Sequence, residues 1–322
     1  MSRALVEVVR GDLVESLHRG SLVVVDSDGS VLRAVGHVDV PIYPRSANKP
    51  MQAAALVRAG APLEGPRLAL AAASHSGEAR HVEAVRALLA DAGLDESALG
   101  CPPDYPLGEA ARVAWIRARR DPAPVAMNCS GKHAAMLATC VARGWSVPGY
   151  LGVDHPLQRA CRVEIEDRAR EKVAAVAVDG CGAPVFALTL TGLARAVSSC
   201  VQAEPGSAPR RVADAMRSWP ELVAGTGRDV TELMAGVPGL LAKDGADGVF
   251  VVALPDGRAV AVKVDDGADR ARPPAVVAAL RWLGVGEDDD AADAVLQRWA
   301  TAPVLGGGRP VGEVRAVSGL LD

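Results

Sequence analysis

The chain has 322 residues, 49% of them apolar and 23% charged, with a formal net charge of −4. A length of this order supports a large buried core, and the composition excludes both a disordered chain and the basic footprint of a nucleic-acid-binding surface. Aromatic residues are only 3%, so Ala, Val and Leu must fill the core and no base-stacking platform is available.

Taken in order, Met1 to Leu13 alternates as strand material with Arg3, Glu7 and Arg10 interspersed, which is not the pattern of an export signal. No apolar run reaches the length of a membrane span, so a soluble cytoplasmic protein acting on a small molecule is expected. Ser21 to Val25 and Val31 to Val35 are joined by Asp26-Ser27-Asp28-Gly29, a hairpin signal. Val38 to Tyr43 is a short apolar run broken by proline, and Met51 to Val57 has helical spacing. Leu68 to Ala73 is either a strand or a buried helix, because periodicity does not separate the two in so short a run.

Helices are expected near Arg80 to Ala92, near Gly108 to Ala118, and from about Lys132 to Arg143. A further one spans Pro156 to Lys172, with Asp154 as its N-cap. Ala174 to Val178 is β-compatible, and helices at Leu188 to Val201 and Arg210 to Arg217 flank a linker at Pro205 to Pro209. Val249 to Leu254 and Ala259 to Val264 form a second hairpin across Pro255-Asp256-Gly257. Helices near Pro274 to Leu283 and Asp290 to Arg298, the latter behind a solvated acidic start at Glu287, precede a final strand at Gly312 to Ser318. Hairpins at both ends around a helical middle predict one α+β unit with the helical part inserted into the sheet part.

Reactive side chains beside small residues mark several element ends. In Arg45-Ser46-Ala47-Asn48-Lys49-Pro50, a serine and a lysine three apart on an opening helix share a face, so the amine can serve as base for the hydroxyl. Alone that pattern is weak, since S-x-x-K arises by chance about once in a chain this long. It is joined by Ser74 to Glu78, Cys129 to His133, Asp179 to Cys181, and Lys243. The six cysteines (Cys101, Cys129, Cys140, Cys161, Cys181 and Cys200) form no dense framework and are buried thiols, ligands or nucleophiles rather than disulfides.

The ordered set Arg45-Ser46-x-x-Lys49-Pro50, Ala73-Ser74-His75-Ser76-Gly77-Glu78, Asn128-Cys129-Ser130-Gly131-Lys132-His133, Asp154-His155-Pro156, Asp179-Gly180-Cys181 and Lys243-x-Gly245-Ala246-x-Gly248 resembles the thermolabile, rhizobial-type L-asparaginases of the asparaginase II family. The resemblance implies a serine β-lactamase/glutaminase-like fold in a single catalytic domain, with a sheet half at about 1–45 plus 237–322 and a helical half at about 46–236. It also implies hydrolysis of L-asparagine by two serine–lysine pairs, Ser46 with Lys49 and Ser74 with Lys243. Zinc held by Cys129, Lys132 and Cys181, a substrate-contacting Asp179, and a homodimer complete what it implies.

Chemistry adds Arg45 as a partner for the substrate α-carboxylate, and His133 as a hydrogen-bonding neighbour of the site. His75 and His155 are equally compatible with structural roles. A glutaminase or another serine–lysine amidohydrolase is the enzymatic alternative, since one methylene is worth only about 1–3 kcal/mol of discrimination. A catalytically silent binding module stapled by zinc is the alternative outside enzymes.

Overall fold

The computed structural model describes residues 2–322; Met1, at the start of the expected first strand, lies outside them. The chain opens with β1 (Arg3–Arg10), β2 (Leu13–Val25), β3 (Val31–Val35) and a short β4 (Pro41–Ile42). The single strand expected up to Leu13 is instead a hairpin. Gly11, at φ +57°, lets the chain reverse after Arg10, and β2 then runs thirteen residues, with its first part exposed and its last part buried. The β2–β3 hairpin forms as expected, with Leu22 opposite Val35.

Helices dominate the next stretch: α1 (Lys49–Arg58), α2 (Gly65–Ala71), α3 (Ala79–Asp91), α4 (Glu109–Arg117), α5 (Ser130–Arg143) and α6 (Pro156–Ala169). Leu68 to Ala73 thereby resolves mostly as helix α2, whose Pro66 sits in the first turn where its missing N–H is harmless. The cap of α6 is His155 rather than Asp154: its imidazole accepts from Leu157 N–H at 3.2 Å, while exposed Asp154 pairs with Arg159. That helix also stops at Ala169, short of Lys172, because Arg170 turns left-handed at φ +56°.

Two small ribbons follow from β5 (Val176–Val178), β6 (Pro184–Phe186) and β7 (Leu188–Thr189), the last pairing back to β4. Helices α7 (Leu190–Gln202), α8 (Ala208–Ser218), α9 (Pro220–Val223) and α10 (Asp229–Gly236) complete the helical stretch. Thr189 caps α7 by accepting from Gly192 N–H at 2.8 Å, so that helix begins two residues later than expected. Residues 203–207 form the turn between α7 and α8, which pack together, and Pro209 already lies in the first turn of α8, so the segment is not a linker between separate bodies.

The chain then returns through β8 (Leu241–Gly245), β9 (Val249–Ala253), β10 (Ala259–Val264), α11 (Arg272–Trp282), α12 (Asp290–Ala300), β11 (Thr301–Gly306) and β12 (Arg309–Ala316). Among the described residues, the main antiparallel sheet has eight strands in the order β11-β12-β1-β2-β10-β9-β8, with β3 also on β2. The last strand was expected, but its hairpin partner β11 was not. All five residues of β9 are buried, so both faces of the sheet are covered there, by α7 and α11. The fold is α+β.

Small side chains bring α5 against α2. A Cβ built on Gly131 would lie 2.7 Å from both the carbonyl oxygen and Cγ of Leu70. Gly131→Ala must therefore push the helices apart and should destabilise the protein by about 1–3 kcal/mol. Urea denaturation measures this, and an unchanged midpoint would show that the α2–α5 contact has slack.

Candidate active site

Residues 45–48 form a 3-10 turn leading into α1, and the first residue of α1 is Lys49, only 1% exposed. Its ammonium donates to Ala73 O at 2.5 Å, Ser74 Oγ at 3.0 Å and Cys129 Sγ at 3.1 Å. Ser46, half-buried in the same turn, makes no side-chain hydrogen bond among the described residues. The lysine is thus aimed across the cleft at Ser74 rather than back at its sequence neighbour.

Ser74 lies in an extended segment after α2, fixed by its N–H to Val223 O at 2.9 Å and by Arg228 on its carbonyl at 2.6 Å. Lys243, fully buried in β8, donates to the same Ser74 Oγ at 3.0 Å. One hydroxyl therefore stands between two amines drawn from opposite ends of the chain. Burial pulls Lys243 down to about 8; Asp244 opposes the shift, and nearby Lys49 and Arg228 add to it. Asp244 is buried too, but Lys243, Arg228 and Arg272 hold its carboxyl far below the usual carboxylate range, with Arg228 at 2.5 Å.

The thiols adjoin this cluster. Cys129, at the N-cap of α5, has its sulfur 3.1 Å from Lys49 Nζ and 2.9 Å from Asn128 Oδ1, and its interaction with Cys181, together with Lys49 and Lys132, holds it well below an ordinary thiol despite its burial. Cys181 is correspondingly pushed up, by its interaction with Cys129 and by burial. Lys132 Nζ lies 3.1 Å from Cys181 Sγ; burial opposes its charge, but the two sulfurs keep it protonated.

Among the described residues no three His, Cys, Asp or Glu side chains gather as a metal site, and the amine beside Cys181 is that of Lys132. Two thiols, with the Lys132 amine 3.1 Å from that of Cys181, are donor types that fit the soft, four-coordinate preference of zinc, provided the amine gives up its proton.

Asp179, in the loop between β5 and β6, accepts from Arg45 Nε at 2.6 Å, and this partner holds its carboxyl low against the effect of burial. Arg45 also pairs with Asp247 in the β8–β9 turn. A cavity of about 420 Å³ opens beside this ion pair, lined by Arg45, Asp247, Lys263, Tyr43 and Val178 among others.

His133 does not join them: it is completely buried, with Nδ1 accepting from the Tyr150 hydroxyl at 2.6 Å, and burial together with Lys132 and Lys49 keeps it neutral. His75 is likewise internal, bonded to Ser130 Oγ at 2.9 Å and stacked on His81. Cys101 is core, as expected, its thiol pushed up to about 12 by burial.

Asp244 and Arg228 are the charged residues that sequence reasoning missed. Asp244 directly follows Lys243, and Arg228 follows Gly225-Thr226-Gly227 as the N-cap of α10, with no motif to single out either. Because Asp244 opposes the drop in Lys243, Asp244→Asn should move the Lys243 titration below about pH 8, as read by NMR of labelled lysine. The same change leaves Arg228 without its buried partner and should destabilise by about 3–5 kcal/mol.

The family model described as L-asparaginase II matches residues 6–316. No curated protein matches the chain significantly. Among solved structures, Mglu in its native form aligns with a TM-score of 0.45 and 18% identity, over 86% of this chain and 65% of that one. A beta-lactamase from Mycobacterium bovis aligns with a TM-score of 0.45 and 16% identity, over 87% of this chain and 94% of that one. These structural likenesses are too distant to bear on activity. The family match takes in nearly the whole chain, including Ser46, Lys49, Ser74, Lys243 and the thiol pair: the chain belongs to the L-asparaginase II family of amidohydrolases.

Proposed function

We propose that the protein hydrolyses L-asparagine to L-aspartate and ammonia through a serine ester. The observation that carries this reading is the hydroxyl of Ser74 held at 3.0 Å from both Lys49 and Lys243. Amide cleavage needs a nucleophile, a base for its proton and an acid for the leaving nitrogen. Ser46 Oγ attacks the side-chain carbonyl carbon, and Lys49 takes its proton. The C–N bond breaks as Lys49 returns that proton to the nitrogen, which leaves as ammonia. Water then cleaves the aspartyl ester and restores Ser46.

Lys49 must be neutral to begin, and Ser74 offers the route. Its O–H donates to neutral Lys243 while its oxygen takes a proton from Lys49, which shifts the positive charge from Lys49 to Lys243. Arg45 pairs with the substrate α-carboxylate and Asp179 with its α-ammonium. Cys129, Lys132 and Cys181 hold zinc, which when bound supplies a Lewis-acidic position for orienting substrate. A second reading makes Ser74 the nucleophile, favoured by the fact that both amines bond it rather than Ser46.

Ammonia release from asparagine, compared with glutamine and a β-lactam, tests the substrate, and no release from any of them would leave only a binding module. Ser46→Ala should lower kcat by roughly a thousandfold or more, and Lys49→Met similarly. Ester trapping on Ser74 in the Ser46→Ala protein would transfer the nucleophile to Ser74. Since the relay needs Lys243 without its proton, kcat/KM should rise with pH through about 8 and level off above it. For the metal, Cys181→Ser should lower bound zinc from about one per chain toward zero by elemental analysis, whereas unchanged content would remove Cys181 from the ligand set.

A further inference from the structure

Arg45 is engaged by two carboxylates at once: Asp179 on Nε, and Asp247 on Nη1. The two differ in setting. The Asp179 side chain is only 13% exposed and its oxygen is also fixed by Gly180 N–H at 2.8 Å, whereas that of Asp247 is 63% exposed and sits in a three-residue turn. Arg45 and Asp247 are also left-handed, at φ +53° and +55°, a region that side chains other than Gly, Asn and Asp avoid. Arg45, strained in this region, is therefore joined by an ion pair to Asp247, which tolerates it, beside the cavity that both line.

From this arrangement we propose that Asp247 is a positioning residue that stands in for the substrate's carboxylate: its side chain occupies Arg45 when the site is empty and swings away when an amino-acid substrate binds. The inference rests on Arg45 being the group that pairs with the substrate α-carboxylate. Asp179 already holds the Nε side of the guanidinium, so the Nη1 side is the one left for a second carboxylate, and Asp247 must leave it before a substrate carboxylate can take that edge. Asp247 is the partner able to leave, being exposed and held by no other side-chain hydrogen bond among the described residues. A second amine is at hand for it, since Lys263 lines the same cavity and donates to the Asp247 carbonyl; burial lowers its hold on its proton, and Asp247 opposes that. Asp247 falls at an unspecified position of the Lys243-x-Gly245-Ala246-x-Gly248 motif, so no motif drew attention to it. It sets affinity for the α-carboxylate without touching the amide being cleaved.

The test is Asp247→Asn, since asparagine tolerates the left-handed backbone, with Asp247→Gly as a second variant that tolerates it too. Removing the internal competitor should lower KM for asparagine about fivefold, equivalent to about 1 kcal/mol, and should lower the inhibition constant of the product L-aspartate in parallel. Arg45→Gln is the reference, and it should raise both. If Arg45→Gln raises KM while both Asp247 variants leave KM and product inhibition unchanged or weaker, the stand-in role is overturned and the Arg45 assignment survives. If Arg45→Gln leaves both constants unchanged, the Arg45 assignment itself fails and the stand-in role falls with it.

Discussion

Three lysine amines, those of Lys49, Lys132 and Lys243, are buried to 2% exposure or less, and this sets the terms for everything around them. A cation taken out of water must find compensation or surrender its proton. Each amine meets the demand differently. Lys132 stays charged against the sulfur pair, Lys243 sits against Asp244 with its proton weakly held, and Lys49 shares a carbonyl, a hydroxyl and a sulfur. The negative charges are in turn held by further cations, as Asp244 is by Arg228 and Arg272. The cluster is coupled through these contacts, which is why one group in it can titrate near neutrality.

Backbone architecture supplies part of that compensation. Cys129 occupies the N-cap of α5, and this placement sets its sulfur 3.1 Å from the Lys49 amine. Lys243 comes instead from β8, whose register against β9 is set by five consecutive pairings. A strand buried on both faces gives little room for movement, and a lysine on it keeps its aim at Ser74. The serine itself sits in the extended segment between α2 and α3, pinned by Val223 and Arg228.

Arg45 shows the opposite strategy. It precedes the 3-10 turn's serine with a strained backbone, and its guanidinium reaches the β5–β6 loop on one side and the β8–β9 turn on the other. Strain of this kind persists only where surrounding contacts over-determine it, and it concentrates where a side chain must be presented in one direction. The rigid amine cluster and the strained Arg45 are thus built on different principles.

The α+β order was legible in the sequence because period-two alternation around Asp-Gly turns and helical spacing in the middle are local signals. So was the identity of the reactive segments, since small residues flank Ser46, Ser74, Cys129, Cys181 and Lys243. Local signals ran out where long-range packing decides. Leu68 to Ala71 is helix because it is buried on all sides, and β11 forms only because β12 is there to pair with it. The same limit applies to the site: S-x-x-K spacing relates Lys49 to Ser46, but the direction of the Lys49 side chain was set by the arrival of Ser74, Cys129 and Ala73 from elsewhere in the chain. Asp244, Arg228 and Asp247 carry no signature of their own, because a carboxylate or guanidinium acquires its role from the charge opposite it, and only the tertiary structure brings that charge near.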